Sequence, residues 1–152
     1  MFKFIALILL SLLSGLAVAK ADLKSYLYQK MNPKIVKAFE ATTRRELEAV
    51  LGKPTLVEKN LIHYELEGFK YALSAKLNAE MIVSTFYHPR IIKISAIDLK
   101  NNNLIDSSKV KDLKKNGQID GLFKEYIDES TKLRIVFKNG SDYSISTIEV
   151  LK

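Results

Sequence analysis

The only imidazoles in this 152-residue chain are His63 and His88, so any histidine general base or zinc ligand must be one of them. His63 stands in Ile62-His63-Tyr64-Glu65-Leu66-Glu67, where strict alternation puts it on one strand face with Glu65 and Glu67. His88 ends a second run of strand-forming residues, Met81 to Tyr87. Two histidines and a carboxylate are a zinc donor set, and His63, Glu65 and His88 sketch one. Spacing opposes it: alternate residues on a strand lie about 6.6 Å apart, so both reach one ion only if the strand bends. A polar outer face of a half-buried strand accounts for the same residues more simply. Cysteine nucleophiles are excluded, because the chain has no cysteine, and a serine or threonine nucleophile would need one of the two histidines. No Gly-rich phosphate loop, His-Glu-x-x-His or Gly-x-Ser-x-Gly occurs. The expectation is a protein without catalytic activity or cofactor.

Aromatic side chains are the other candidates, as anchors for a partner. Tyr64, Tyr71, Phe86, Tyr87, Tyr126 and Tyr143 all fall in strand-like runs. Tyr64 shares a phase with Ile62 and Leu66 and belongs to the core. Phe86 and Tyr87 lie on opposite phases, so one is more exposed; Tyr87 and Arg90, with Tyr71, are read as the rim of a partner site.

The elements that position these residues are punctuated clearly at first. Leu23, Leu27 and Met31 recur at helical spacing, and Asn32-Pro33 caps and opens a second helix carrying Ile35, Val36 and Phe39. Thr43 and Glu46 form a Thr-x-x-Glu capping box for a helix over about Arg44 to Leu51, closed by Gly52 and Pro54. The period then becomes two: Ile62 to Leu66, Tyr71 to Leu77 and Met81 to Tyr87 read as antiparallel strands, and Ile92, Ile94 and Ala96 as a further one before Asn101-Asn102-Asn103. Beyond that loop, Ser107 or Ser108 caps a short helix with Val110 and Leu113, ended at Asn116-Gly117. Leu122 to Ile127 is a strand, and Leu133 to Phe137 pairs through Asn139-Gly140 with Tyr143 to Val150, bulged near Ser146-Thr147. Fold class is therefore α+β, short helices packed on an antiparallel sheet. A slide of 62 places Tyr64 on Tyr126, Leu73 on Ile135 and Leu51 on Leu113, which leaves a tandem helix-plus-meander repeat, about 33–100 and 104–152, as an open alternative within one domain over 20–152.

The N-terminus sets the expected compartment. Lys3, the apolar run from Phe4 to Leu13 and Ala17-Val18-Ala19 make a signal peptide over 1–19, cleaved near Ala19. Phe4 to Ala19 is 16 residues, short of the ~20 of a stable spanning anchor, and without cysteine a lipid anchor has no attachment point. Loss of Lys3 takes the net charge from +7 to +6. Export removes nucleic acid from the natural partners of such a charge and leaves a protein partner in the envelope or outside the cell, with anionic envelope surfaces as a lesser candidate. A periplasmic or secreted site is expected.

The segment Thr43-Arg44-Arg45-Glu46-Leu47-Glu48-Ala49-Val50-Leu51-Gly52-Lys53-Pro54, followed by a strand bearing Tyr64, resembles the helix-to-strand segment of the SmpA/OmlA (BamE-like) family, which is similar in fold to beta-lactamase inhibitor protein. The resemblance implies a small envelope protein that acts by binding other proteins, an inhibitor or assembly adaptor. The lipid-modified cysteine of the outer-membrane assembly members is absent. A small metal-dependent hydrolase and an anionic lipid or glycan binder are the alternatives.

Overall fold

The computed structural model describes residues 22–90, 93–139 and 143–152; the leader reading and Ile92 lie outside them. Helix α1 (Leu23–Gln29) starts at Asp22, whose carboxylate accepts from the Ser25 amide. Helix α2 (Pro33–Glu40) starts at Asn32 with Pro33 in its first turn, where the missing N–H costs nothing. Helix α3 (Arg44–Leu51) has Thr43 as its cap, but Glu46 reaches one residue further back than a capping box requires: its carboxylate takes the Thr42 amide and hydroxyl, at 2.7 and 3.0 Å. Gly52 leaves the helix at φ +81°, a region open to glycine.

Four strands follow as a meander: β1 (Leu56–Glu58), β2 (Leu61–Leu66), β3 (Tyr71–Asn78) and β4 (Met81–Pro89). The expected strand through Ile94 and Ala96 is instead helix α4 (Ala96–Asn101), because Ser95 and Asp98 close a full reciprocal capping box. The expected helix through Val110 and Leu113 is also corrected. One turn of 3-10 helix, Ser107–Lys109, is capped by Asp106 and leads into β5 (Lys111–Lys115), which holds Leu113. Asn116 and Gly117 both have positive φ, +53° and +77°, as a two-residue hairpin turn demands, so they join β5 to β6 (Gln118–Asp128) rather than end a helix. Strands β7 (Leu133–Lys138) and β8 (Ser144–Leu151) complete the sheet, and Ser146 is the unpaired residue between the Val136–Thr147 and Phe137–Ile145 pairs.

The sheet has eight antiparallel strands in the order β1-β2-β3-β4-β8-β7-β6-β5. It is two four-stranded meanders joined through their last strands, where Ser84 to Tyr87 pair with Leu151 to Ile148. The halves dock their helices alike. Arg44 and Ala96 donate their amides to Glu80 and Tyr143, while the Thr42 and Ile94 carbonyls accept from Ile82 and Ile145. One inward row crosses six strands, Tyr64-Leu73-Tyr87 from the first half and Ile148-Ile135-Tyr126 from the second, with a tyrosine at each end. All six side chains are buried in one core with Leu27, Phe39, Leu47 and Leu99 from the helices. The helices therefore lie on one face of the sheet, the inner face.

Candidate functional site

The outer face carries the chain's polar cluster, and strand pairing explains its make-up. His63 stands opposite Ser74 and Glu65 opposite Ala72 on β2 and β3; Ser74 and Ala72 in turn face Phe86 and His88 on β4. A side-chain network grows from these places. His63 Nδ1 is 2.7 Å from Ser74 Oγ, and its Nε2 is 3.0 Å from Glu65 Oε1. Arg90 holds the same carboxylate bidentately, at 2.7 and 3.1 Å, and donates to the Phe69 carbonyl at 2.9 Å. Arg90 first and His63 second stabilise the anionic Glu65, holding its carboxyl down at about 2, and the same contact raises the Arg90 guanidinium further. His88 bonds away from the group, with Nδ1 3.0 Å from Thr147 Oγ1, and burial pushes its imidazole toward the neutral form. From β7, Arg134 donates to Glu125 of β6 at 2.8 Å and to Glu149 of β8 at 3.1 Å; burial opposes its charge, and the two carboxylates outweigh that.

Of the predicted site residues, His63, Glu65 and Arg90 do come together, as a salt-bridged corner. His88 does not join them in a metal-ligand set, and among the described residues no three His, Asp or Glu side chains are placed to hold an ion. Tyr87 is a correction: it is 0% exposed, packed edge-on against Phe39 with ring centroids 6.0 Å apart, and Tyr71 leans on it at 5.9 Å. Phe86 and Tyr87 do lie on opposite faces of β4, but in the opposite sense to that expected. Phe86, half-buried, is the aromatic on the outer face, and Tyr87 continues the inward row of Leu73 and Ile148. Ser74, missed from sequence, stands opposite His63 across the hairpin whose four-residue loop, 67–70, joins β2 to β3, a pairing that the register alone reveals.

Ser74, His63 and Glu65 form a hydrogen-bonded serine–histidine–carboxylate row, the outline of a nucleophile and its base. The rest of such a site is missing from its surroundings. β3 is paired on both sides, so the amides flanking Ser74 are engaged with β2 and β4 and cannot point at an oxyanion, and the carboxylate is shared with Arg90. What the face can do is present fixed charges: Glu65 is held by Arg90, and Glu125 and Glu149 by Arg134, two separate groups on the strands either side of Phe86, with Ile127 and Leu151 exposed on the same face.

No family model and no curated protein matches the chain. Among solved structures it is similar to a DUF4309 family protein, YjgB, from Bacillus subtilis, with 12% identity and a TM-score of 0.52 over 72% of this chain and 78% of that one. A second, a cysteine-rich secretory protein from Staphylococcus aureus, is 10% identical with a TM-score of 0.43, and this chain spans 44% of its length. The first likeness is one of fold.

Proposed function

We propose that this is an exported, non-catalytic protein-binding module that receives its partner on the outer face of the sheet, in the periplasm or outside the cell. The observation that carries the reading is that the helices all pack on one face, leaving the other as a broad surface whose arginines and carboxylates are already paired in place. Side chains fixed before binding lose little entropy on binding, and an aromatic sharing a face with arginines matches the residue types enriched at interface centres. The leader-like residues 1–19 support export, and among the described residues no helix is long and apolar enough to cross a membrane. The SmpA/OmlA resemblance of Thr43 to Pro54 is in keeping with this proposal, which assigns the motif to the helix-to-sheet corner and the binding to the sheet face.

A photo-crosslinking residue placed at Phe86 tests it, with Ile97 on α4 as the control position. Adducts to one envelope protein from the first position, reduced by Arg90→Ala and Arg134→Ala, are expected. Equal capture from both positions, or none from Phe86, would overturn the reading.

A further inference from the structure

We infer that the inner face of the second half holds a binding site for a small amphipathic carboxylate, a compact apolar body ending in one anionic group. The two halves share a topology but not their cover. Three helices pack on the first half and the centre of the sheet, whereas among the described residues the second half has only the six-residue α4 and one 3-10 turn. The shortfall leaves a cavity of about 310 Å³ between α4 and strands β6 and β7. That volume lies at the small end of the range that encloses small molecules, about 300–1,000 Å³.

Its chemistry is directional. Phe137 and Ile105, both buried, form the floor, and Val110 and Ile97 continue the apolar wall toward the mouth. Among the described residues the charged lining side chains are Lys100 and Lys124, and no described Asp or Glu is part of the lining. Lys124 Nζ lies 5.6 Å from the centre of the Tyr143 ring, itself part of the wall. Asp112, outside the lining, is 3.3 Å from the same ammonium, so a ligand carboxylate would take over a place that one of the protein's own carboxylates now shares. An apolar floor with cations at its mouth complements an anion with an apolar tail, and is mismatched to a cation or a sugar. The site is on the opposite side of the sheet from the proposed partner face, and the two readings stand separately.

Phenylbutyrate is the probe, with the neutral phenylbutanol as its comparison, titrated into the full chain and followed by amide NMR. Saturable shifts around Ile97, Ile105, Val110, Phe137 and Tyr143 are expected, with the acid bound more tightly than the alcohol. Lys100→Gln combined with Lys124→Gln should weaken the acid about fivefold, the scale of screened ion pairs, and leave the alcohol unchanged. Asp112→Asn, by freeing Lys124, should tighten the acid. Ile105→Trp should fill the cavity and remove both ligands; the lysine variants, being at the surface, keep the test intact if that replacement unfolds the chain. Absence of saturable shifts, shifts centred elsewhere, equal affinity for acid and alcohol, or indifference to the lysines would each overturn the inference.

Discussion

At the scale of single residues, hydroxyl groups separate what the fold needs from what it tolerates. Tyr64 donates to the Gly52 carbonyl at 3.2 Å, tying β2 to the end of α3. The hydroxyls of Thr85 and Tyr87 are buried with no hydrogen-bond partner among the described residues. A buried polar group left unpaired costs about 1–3 kcal/mol, while a made hydrogen bond contributes about 1 kcal/mol. Urea denaturation should therefore find Tyr64→Phe destabilised by about 1 kcal/mol, Tyr87→Phe undiminished, and Thr85→Val more stable by about 1 kcal/mol. Comparable losses in all three would contradict this account. Two titrating groups add a pH signature. The depressed carboxyl of Glu65 stabilises the fold fully above the usual carboxylate range, and that contribution is lost as the pH falls from there toward about 2. The depressed imidazole of His88 acts higher: stability is intact above the ordinary histidine value and declines as the pH falls below it, because the unfolded chain takes up the proton first. His88→Gln should flatten the mildly acidic part of the stability profile, and Arg90→Gln should return the Glu65 carboxyl, followed by NMR titration, toward ordinary values. A profile unchanged in either variant would show that the group is not responsible.

At the scale of elements, helix starts carry the clearest predictions. Thr43 accepts from the Glu46 amide at 3.2 Å and Ser95 from the Asp98 amide at 3.1 Å, each at the start of the helix that opens its half. Thr43→Ala and Ser95→Ala should each cost about 1 kcal/mol in thermal or urea unfolding; an effect at one and not the other would break the equivalence. The same comparison shows what the sequence made legible. Thr43, Gly52 and Pro54 bracket α3 without help from tertiary contacts, and alternation over Ile62, Tyr64 and Leu66 gives β2 with its buried face. Ser95-Ala96-Ile97-Asp98 is the same capping grammar, but the alternation of Ile92, Ile94 and Ala96 across it favours a strand, and a short periodic run does not separate the two. β5 is written Lys-Asp-Leu-Lys-Lys, an edge strand whose charges discourage pairing with another chain and therefore hide it from any search for apolar alternation. The site was half legible for a related reason. His63 and Glu65 share a face by local alternation, but Ser74 and Thr147 reach the two histidines, and Arg90 reaches Glu65, only through the register of β2, β3, β4 and β8.

At the scale of the whole molecule, the repeat has to be read at two offsets. Tyr64 and Leu73 correspond to Tyr126 and Ile135 at a spacing of 62, as the sequence slide places them, whereas Thr43 and Leu47 correspond to Ser95 and Leu99 at 52. The longer connection from α4 to β5 absorbs part of the difference and the longer β5–β6 hairpin the rest, which is why Leu51 on Leu113 equates a helix end with a strand. The halves meet along only four residue pairs of β4 and β8, a joint too short to hold two half-sheets by itself. The core crosses it: Tyr87 faces Ile148 across the joint, both in one buried cluster, and Lys152, just past β8, donates to the Phe39 carbonyl of α2. A continuous core over a short seam predicts one cooperative unit, not two domains. Ile148→Ala, which empties a buried place beside Tyr87 at the seam, should cost about 2–5 kcal/mol. Hydrogen exchange should then speed up by the same factor for the slowest amides of β3 in one half and β7 in the other. If β3 kept its protection while β7 lost it, the seam would be an interface between independently folded halves, and the two meanders would have to be treated as separate cores.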